Sequence, residues 1–182
     1  MSWRDRIARA VAQGFTREAY RGEGVPIAGR SFIVGHPSRY DTGFLGGNAI
    51  YSTNAPRLAN DYSTFKAAKE LDPSPNVMPL KLKMENPYTI TGDEKAKIAQ
   101  KNLFDRDAWL QDKYDKGHDG VVVKYGGGYE EYLAPPEQYR SRFAQFDPDK
   151  TNVNDLLAGF AATVGVPAIG AVAAQDQYGA VQ

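Results

Sequence analysis

The stretch that decides the fold covers residues 48–62 and reads Asn-Ala-Ile-Tyr-Ser-Thr-Asn-Ala-Pro-Arg-Leu-Ala-Asn-Asp-Tyr. Its first part, residues 49–51, is apolar and predicts a short buried strand. Asn54 is a suitable helix cap and Pro56 fits a first helical turn, so a helix is expected to follow. The inner face of that helix carries Leu58, Ala59 and Tyr62. The sequence therefore predicts a strand that turns into a helix with an aromatic inner face.

Two strand-like segments flank this unit, one before it and one after it. Upstream, Tyr20-Arg21-Gly22 places a cation beside a glycine, at which another group can approach the backbone closely. Downstream, Glu130 and Glu131 lie in a strand-like run over residues 129–133. Side chains alternate along a strand, so the two carboxylates are expected on opposite faces. A cation, an aromatic unit and a carboxylate thus follow one another along the chain.

These segments resemble motifs of the ADP-ribosyltransferase superfamily, most closely the forms found in phages and in polyvalent phage or mobile-element proteins. Ile50-Tyr51 with Ala59 and Tyr62 is similar to the block whose tyrosines sandwich nicotinamide in the poly(ADP-ribose)-polymerase-like and diphtheria-toxin-like branch. The closing strands that carry the catalytic glutamate in this superfamily resemble residues 119–123 and 131–135, followed by Gln138. The resemblance spans roughly residues 18–147.

The resemblance implies an α+β fold of split, bent antiparallel β-sheets with flanking helices, and NAD⁺ as the substrate. It implies that Glu131 is the catalytic carboxylate, because a negative charge beside the ribose stabilises an oxocarbenium-like transition state. Tyr51 and Tyr62 would stack on the cationic nicotinamide ring. Gly22 would offer its backbone amide and carbonyl to the carboxamide, and Arg21 would contact ribose or phosphate.

The motifs combine the signatures of two branches of the superfamily. Arg21 stands where the tyrosine-rich branch has histidine, and it matches the branch that combines arginine, Ser-Thr-Ser and glutamate. Ser52-Thr53 fit the Ser-Thr-Ser element, but Asn54 replaces its last serine. Ser52 is therefore a candidate to orient Glu131 through a hydrogen bond.

Composition limits the chemistry that this chain can perform. Its 182 residues are enough for one domain with a real core, and its formal net charge of zero disfavours a nucleic-acid partner. The chain has two histidines and no cysteine, so neither a disulfide framework nor a transition-metal centre is expected. Chemistry without a metal is the expectation.

The chain divides into a predicted catalytic domain over residues 1–150 and a tail over residues 151–182. The domain begins with an amphipathic helix within residues 1–14, expected to pack across the domain rather than on a membrane, and no signal peptide is visible. Residues 156–174 lack charge, are rich in Ala and Gly, and include Pro167. This composition favours a tail or docking segment over a membrane contact.

The other elements follow from local pattern. Strands are expected within residues 31–34, 77–84 and 121–123, and a last helical turn and loop over residues 140–147. Residues 35–43 are polar and rich in turn-forming residues, so they are expected to form a loop that either lines a dinucleotide pocket or simply connects strands. A charged helical region over residues 92–114 has six candidate inward positions, Ile98, Leu103, Phe104, Trp109, Leu110 and Tyr114.

The leading hypothesis is a mono-ADP-ribosyltransferase of the phage or mobile-element type that acts on NAD⁺ and a macromolecular acceptor, with protein favoured. The need for NAD⁺ places its action in the host cytoplasm, and association with a virion or delivery into the cell is compatible with the sequence. Tyr129 stands two residues before Glu131, where arginine-modifying members carry a second glutamate, so arginine is a less favoured acceptor. One alternative is the same fold as an inactive binding or structural module, and another outcome is NAD⁺ hydrolysis without an acceptor. A nuclease is disfavoured by the charge balance and the scarcity of histidine.

Overall fold

The computed structural model describes residues 2–24, 49–67, 75–144 and 146. The predicted strand at 31–34, the polar loop at 35–43 and the tail over 151–182 lie outside these residues. Within them, the helices are α1 Trp3–Ala12, α2 Pro56–Ala67, α3 Gly92–Ala99 and α4 Leu103–Asp115. The strands are β1 Arg17–Glu23, β2 Ile50–Thr53, β3 Asn76–Leu82, β4 Tyr88–Thr91, β5 Val121–Lys124, β6 Glu130–Ala134 and β7 Tyr139–Ser141.

The seven strands form one sheet in the order β4-β5-β6-β2-β1-β3-β7. This arrangement with its four helices confirms the α+β class. All neighbouring strands are antiparallel except β4 and β5, which run parallel because α3 and α4 form the crossover between them. The resemblance implied separate antiparallel sheets, whereas the described strands are hydrogen-bonded into one continuous mixed sheet.

The two faces of the sheet bury different residues, as the alternation along each strand requires. One face, named here the helical face, packs against α3 and α4 through a cluster of Ile90, Ile98, Leu110, Val121, Val123 and Leu133. The other, the second face, buries Ala19, Ile50, Leu80, Leu82, Met84, Val122, Tyr132, Ala134 and Tyr139. Helix α2 packs on β1, β2 and β3 on the helical face.

The amino-terminal helix is confirmed as α1 and begins with a capping box between Ser2 and Asp5. It contributes Ala10 to a small cluster with Phe15, Ala144 and Phe146. The remaining apolar residues of α1, Trp3, Ile7 and Val11, are exposed. No helix in the described part of the chain is long and apolar enough to cross a membrane.

Three predictions about helices, strands and caps are wrong within the described residues. The helical region over 92–114 is two helices, and Leu103 and Phe104 at the start of the second are exposed instead of inward. Residues 140 and 141, predicted to begin a helical turn, belong to β7 instead, because Tyr139–Ser141 pair with β3 at the edge of the sheet. The side chain of Asn54, predicted to cap α2, instead forms hydrogen bonds with the backbone of Gly128 and Glu130.

Tyr114 on α4 offers a stability test. Its hydroxyl oxygen is buried and has no hydrogen-bond partner in the described structure. Burial, with the nearby charges of Glu137 and Asp119, raises the pKa of Tyr114 to about 12. A buried polar group without a partner costs about 1–3 kcal/mol. We therefore expect Tyr114→Phe to leave the free energy of unfolding unchanged or to raise it by about 1 kcal/mol, measured by urea denaturation.

Tyr139 is the matched control for this test. Its side chain is fully buried, and its hydroxyl donates to the Ile50 carbonyl at 3.1 Å and accepts from Ser52 at 2.9 Å. Tyr139→Phe is expected to lower the free energy of unfolding by about 1–3 kcal/mol, because two buried polar groups lose their partner. Equal losses in both variants would contradict the view that the Tyr114 hydroxyl contributes nothing.

Candidate active site

The sheet brings the three sequence motifs together on adjacent central strands. Strand β2, which carries Tyr51 and Ser52, lies between β6 with Glu131 and β1 with Arg21. The register pairs Thr53 with Glu131 across β2 and β6, and Tyr20 with Thr53 across β1 and β2. Motifs that are more than 100 residues apart in sequence therefore become neighbours in space.

The alternation of side chains divides the predicted site residues between the two faces. Residues directly opposite each other on neighbouring strands share a face, so Gly22, Tyr51 and Glu131 lie on the helical face. By the same register, Arg21 and Ser52 lie on the second face. The structure thus does not bring Arg21 and Ser52 to the side of the sheet on which Glu131 lies.

Glu131 is the centre of a polar network on the helical face. The residue is only 4% exposed. Its Oε1 accepts a hydrogen bond from the Tyr62 hydroxyl at 2.9 Å, and its Oε2 accepts one from the Tyr125 hydroxyl at 2.7 Å. Lys95 of α3 forms an ion pair with the same Oε2. All three neighbours donate, and both oxygens of Glu131 accept. This pattern is the one expected of an ionised carboxylate.

The electrostatics of the two phenols agree with this description. Burial, followed by the charge of Glu131, raises the pKa of Tyr62 above its ordinary value. Burial, followed by the hydrogen bond to Glu131, raises the pKa of Tyr125 as well. Both hydroxyls consequently keep their protons at neutral pH and act as donors to the carboxylate.

Helix α2 places Tyr62 against Glu131, and Gly22 permits the approach. A Cβ atom added at Gly22 would lie 1.9 Å from the Ala59 carbonyl oxygen and 2.8 Å from the Ser63 nitrogen. The helix backbone therefore fills the space above Gly22 on the helical face. The predicted contact between Gly22 and a nicotinamide carboxamide stays a prediction, and on this face the helix backbone occupies the space.

Tyr51, the other predicted clamp residue, is half-buried beside the core of the helical face. Its ring packs against that cluster, whereas Tyr62 is 44% exposed and reaches Glu131 with its hydroxyl. Both tyrosines thus belong to the same side of the sheet as the carboxylate. Their stacking on a nicotinamide ring stays a prediction.

The second face holds a separate polar group. Arg21 forms an ion pair with Glu23, and its Nη1 donates to the Tyr51 carbonyl at 3.3 Å. Ser52 is hydrogen-bonded to Tyr139 at 2.9 Å. The predicted hydrogen bond from Ser52 to Glu131 is therefore wrong in this structure, because alternation along β2 turns the serine away from the carboxylate.

Sequence reasoning missed two residues that shape the site, Lys95 and Tyr125, and gave a third, Asn54, a different role. Lys95 is one of several charges in the helical region over residues 92–114 and is not among its candidate inward positions, and the sequence gives Tyr125 no role. Asn54 joins the β2–α2 turn to β6, since its Nδ2 donates to the Gly128 carbonyl and its Oδ1 accepts from the Glu130 nitrogen, both at 3.0 Å. A usable signal was present for Lys95, which lies three residues before the buried Ile98 and so shares its helix face.

The described residues contain no group of three or more His, Cys, Asp and Glu side chains that could hold a metal ion. No family model and no curated protein matches the chain. Among solved structures, it is similar to a chain in the crystal structure of the M. tuberculosis MbcT–MbcA toxin–antitoxin complex. The TM-score is 0.44 at 16% sequence identity, and the match covers 75% of this chain and 85% of that one.

Proposed function

We propose that this protein is an ADP-ribosyltransferase that cleaves NAD⁺ at the bond between nicotinamide and ribose and transfers ADP-ribose to a macromolecular acceptor. One observation carries the proposal. Glu131, the residue that the motif order marks as catalytic, is a buried carboxylate held by Tyr62, Tyr125 and Lys95. A fixed carboxylate in a site with little water is suited to stabilising positive charge on a sugar.

The reaction requires little covalent chemistry from the protein. The bond between nicotinamide and C1′ of the ribose breaks, and its electron pair leaves with neutral nicotinamide. Positive charge develops on the ribose, and the Glu131 carboxylate stabilises it or holds a ribose hydroxyl. A nucleophilic atom of the acceptor then bonds to C1′ and releases its proton to solvent. Tyr62 and Tyr125 keep the carboxylate in place through these steps.

The acceptor and the setting are parts of the same proposal. The resemblance described above suggests a protein acceptor and an effector of the phage or mobile-element type. The need for NAD⁺ as a substrate suggests action in a host cytoplasm. Hydrolysis of NAD⁺ is the same reaction with water as the acceptor.

A second candidate function is a binding or structural module without NAD⁺ chemistry. Two observations favour it. Both oxygens of Glu131 are already hydrogen-bonded by the protein, as in many purely structural carboxylates, and Arg21 and Ser52 lie on the opposite face of the sheet. This module would keep the fold and bind a macromolecule without turnover.

The test is incubation of the purified protein with NAD⁺ labelled in its adenine half, with and without a host-cell lysate. Nicotinamide release and labelled macromolecules are both followed, and heat-denatured protein serves as the blank. Release together with a labelled band is the expected result, and the band identifies the acceptor. Release without a band indicates an NAD⁺ hydrolase. Absence of both, from a folded protein, supports the module and overturns the proposal.

A further inference from the structure

Helix α3 supplies a cation to the carboxylate at the centre of the site. The amino group of Lys95 forms an ion pair with Oε2 of Glu131 and donates to the Tyr125 hydroxyl at 3.1 Å. The Lys95 side chain is 18% exposed, and that of Glu131 is 5% exposed. A charge pair this well shielded from water interacts more strongly than a pair on the surface.

The start of α3 is fixed against the same site. Thr91 and Glu94 form a capping box that sets where the helix begins. A Cβ atom added at Gly92 would lie 2.7 Å from the Tyr125 ring, so the ring packs directly on the first turn of the helix. Lys95 follows three residues later on the same side. The helix therefore positions both donors that reach Oε2.

The two carboxylate oxygens of Glu131 differ in their surroundings. Oε2 receives the Lys95 amino group and the Tyr125 hydroxyl, while Oε1 receives the hydroxyl of Tyr62, a residue that is 44% exposed. Oε2 thus faces the interior beside α3. Oε1 accepts one hydrogen bond from the described residues, and a carboxylate oxygen has two acceptor sites, so Oε1 can accept a second hydrogen bond from a ligand hydroxyl.

We infer that Lys95 is a positioning residue for Glu131: together with Tyr125 it holds Oε2, so that Oε1 is presented to a ribose hydroxyl of the substrate. This role rests on the proposed function, because it assigns Glu131 a substrate. In this role Lys95 acts through the carboxylate that it contacts, so its loss should change the rate of the chemical step and not the affinity for the substrate. Without this support, the Glu131 carboxylate is expected to shift slightly from the position in which it meets the ribose hydroxyl.

The test compares Lys95→Met with Lys97→Met, an exposed lysine on the same helix. Lys95→Met is expected to lower kcat for nicotinamide release by about 10- to 100-fold, because small displacements of a catalytic group have effects of this size. KM for NAD⁺ is expected to change less than about twofold, as for a group that does not bind the substrate. Lys97→Met should match the wild type in both quantities.

Two further variants separate positioning from folding. Tyr125→Phe removes the second donor to Oε2 and keeps the ring that packs on Gly92, so it should also lower kcat with little change in KM. Lys95→Arg keeps the positive charge and should recover part of the lost kcat. Thermal melting of every variant serves as the control that the folded fraction at the assay temperature equals that of the wild type.

The outcomes distinguish this inference from the proposal on which it rests. A folded wild-type protein that releases no nicotinamide overturns both. An active wild type with Lys95→Met and Tyr125→Phe equal to Lys97→Met overturns the positioning role alone. A rise in KM for NAD⁺ without a fall in kcat also overturns it, because Lys95 would then act in binding. A selective fall in kcat, partly recovered in Lys95→Arg, supports it.

Discussion

Glutamine in place of Glu131 is expected to lower the rate of nicotinamide release from NAD⁺ by about 10²–10³-fold, the usual effect of removing one group that stabilises charge in a transition state. Glutamine has nearly the same shape but carries no negative charge, so it cannot balance the charge that develops on the ribose. It also meets Lys95 with a neutral amide in a buried position. The measurement is steady-state nicotinamide release, normalised to the folded fraction from circular dichroism.

Glu130 provides the matched control, because it precedes Glu131 on the same strand and lies on the opposite face. Its carboxylate accepts from the Tyr132 hydroxyl at 2.8 Å and lies 4.0 Å from the Arg17 guanidinium. Glu130→Gln is expected to change the rate less than about threefold, as for a residue outside the transition state. The reverse result, with Glu130→Gln inactive and Glu131→Gln active, would place the chemistry on the second face with Arg21 and Ser52.

The fold elements that could be predicted from the sequence are those set by local pattern. Pro56 is the first residue of α2, as its fixed backbone angle favours, and Leu80 and Leu82 are buried on β3 as the period-two pattern indicated. Val121 and Val123 are fully buried, as expected for a central strand of β-branched residues. In each case, neighbours in sequence determine the conformation.

The predictions that failed depend on partners that are distant in sequence. Tyr139, Arg140 and Ser141 have no strong strand pattern of their own, and their pairing with β3 makes them a strand. The parallel pairing of β4 with β5 also has no local signature, because it depends on where the two intervening helices return the chain. Tertiary contacts override local propensity at both places.

In the candidate site, too, features set by local sequence could be predicted and features set by distant partners could not. The order of motifs located Glu131 and Tyr62, and the structure joins them by a hydrogen bond. Strand alternation, which had separated Glu130 from Glu131, applies equally to Ser52 and Thr53, and it turns Ser52 to the second face. Lys95 was missed because one lysine in a charged helix resembles the others. Only its phase relative to the buried Ile98 distinguishes it.

Among substitutions of the described glycines by alanine, Gly22→Ala is expected to lower the free energy of unfolding the most. The added Cβ would meet the Ala59 carbonyl oxygen at 1.9 Å and the Ala59 carbonyl carbon at 3.0 Å, and both are helix backbone. Backbone atoms cannot rotate away as a side chain can, so α2 must shift from β1 as a whole. We expect the free energy of unfolding to fall by about 1–3 kcal/mol, the usual range for overpacking.

In Gly22→Ala, the rate of nicotinamide release should fall by more than the loss of folded protein explains. The reason is that α2 carries Tyr62, and a shift of the helix separates the Tyr62 hydroxyl from Oε1 of Glu131. Gly126→Ala is the control, since a Cβ atom there has no neighbour within 4 Å. It should change the free energy of unfolding by less than about 0.5 kcal/mol, as exposed substitutions usually do. Urea denaturation and nicotinamide release measure both effects in the same preparations. Equal stability of the two variants would mean that α2 does not press on Gly22, and the placement of Tyr62 beside the carboxylate would then lack its structural cause.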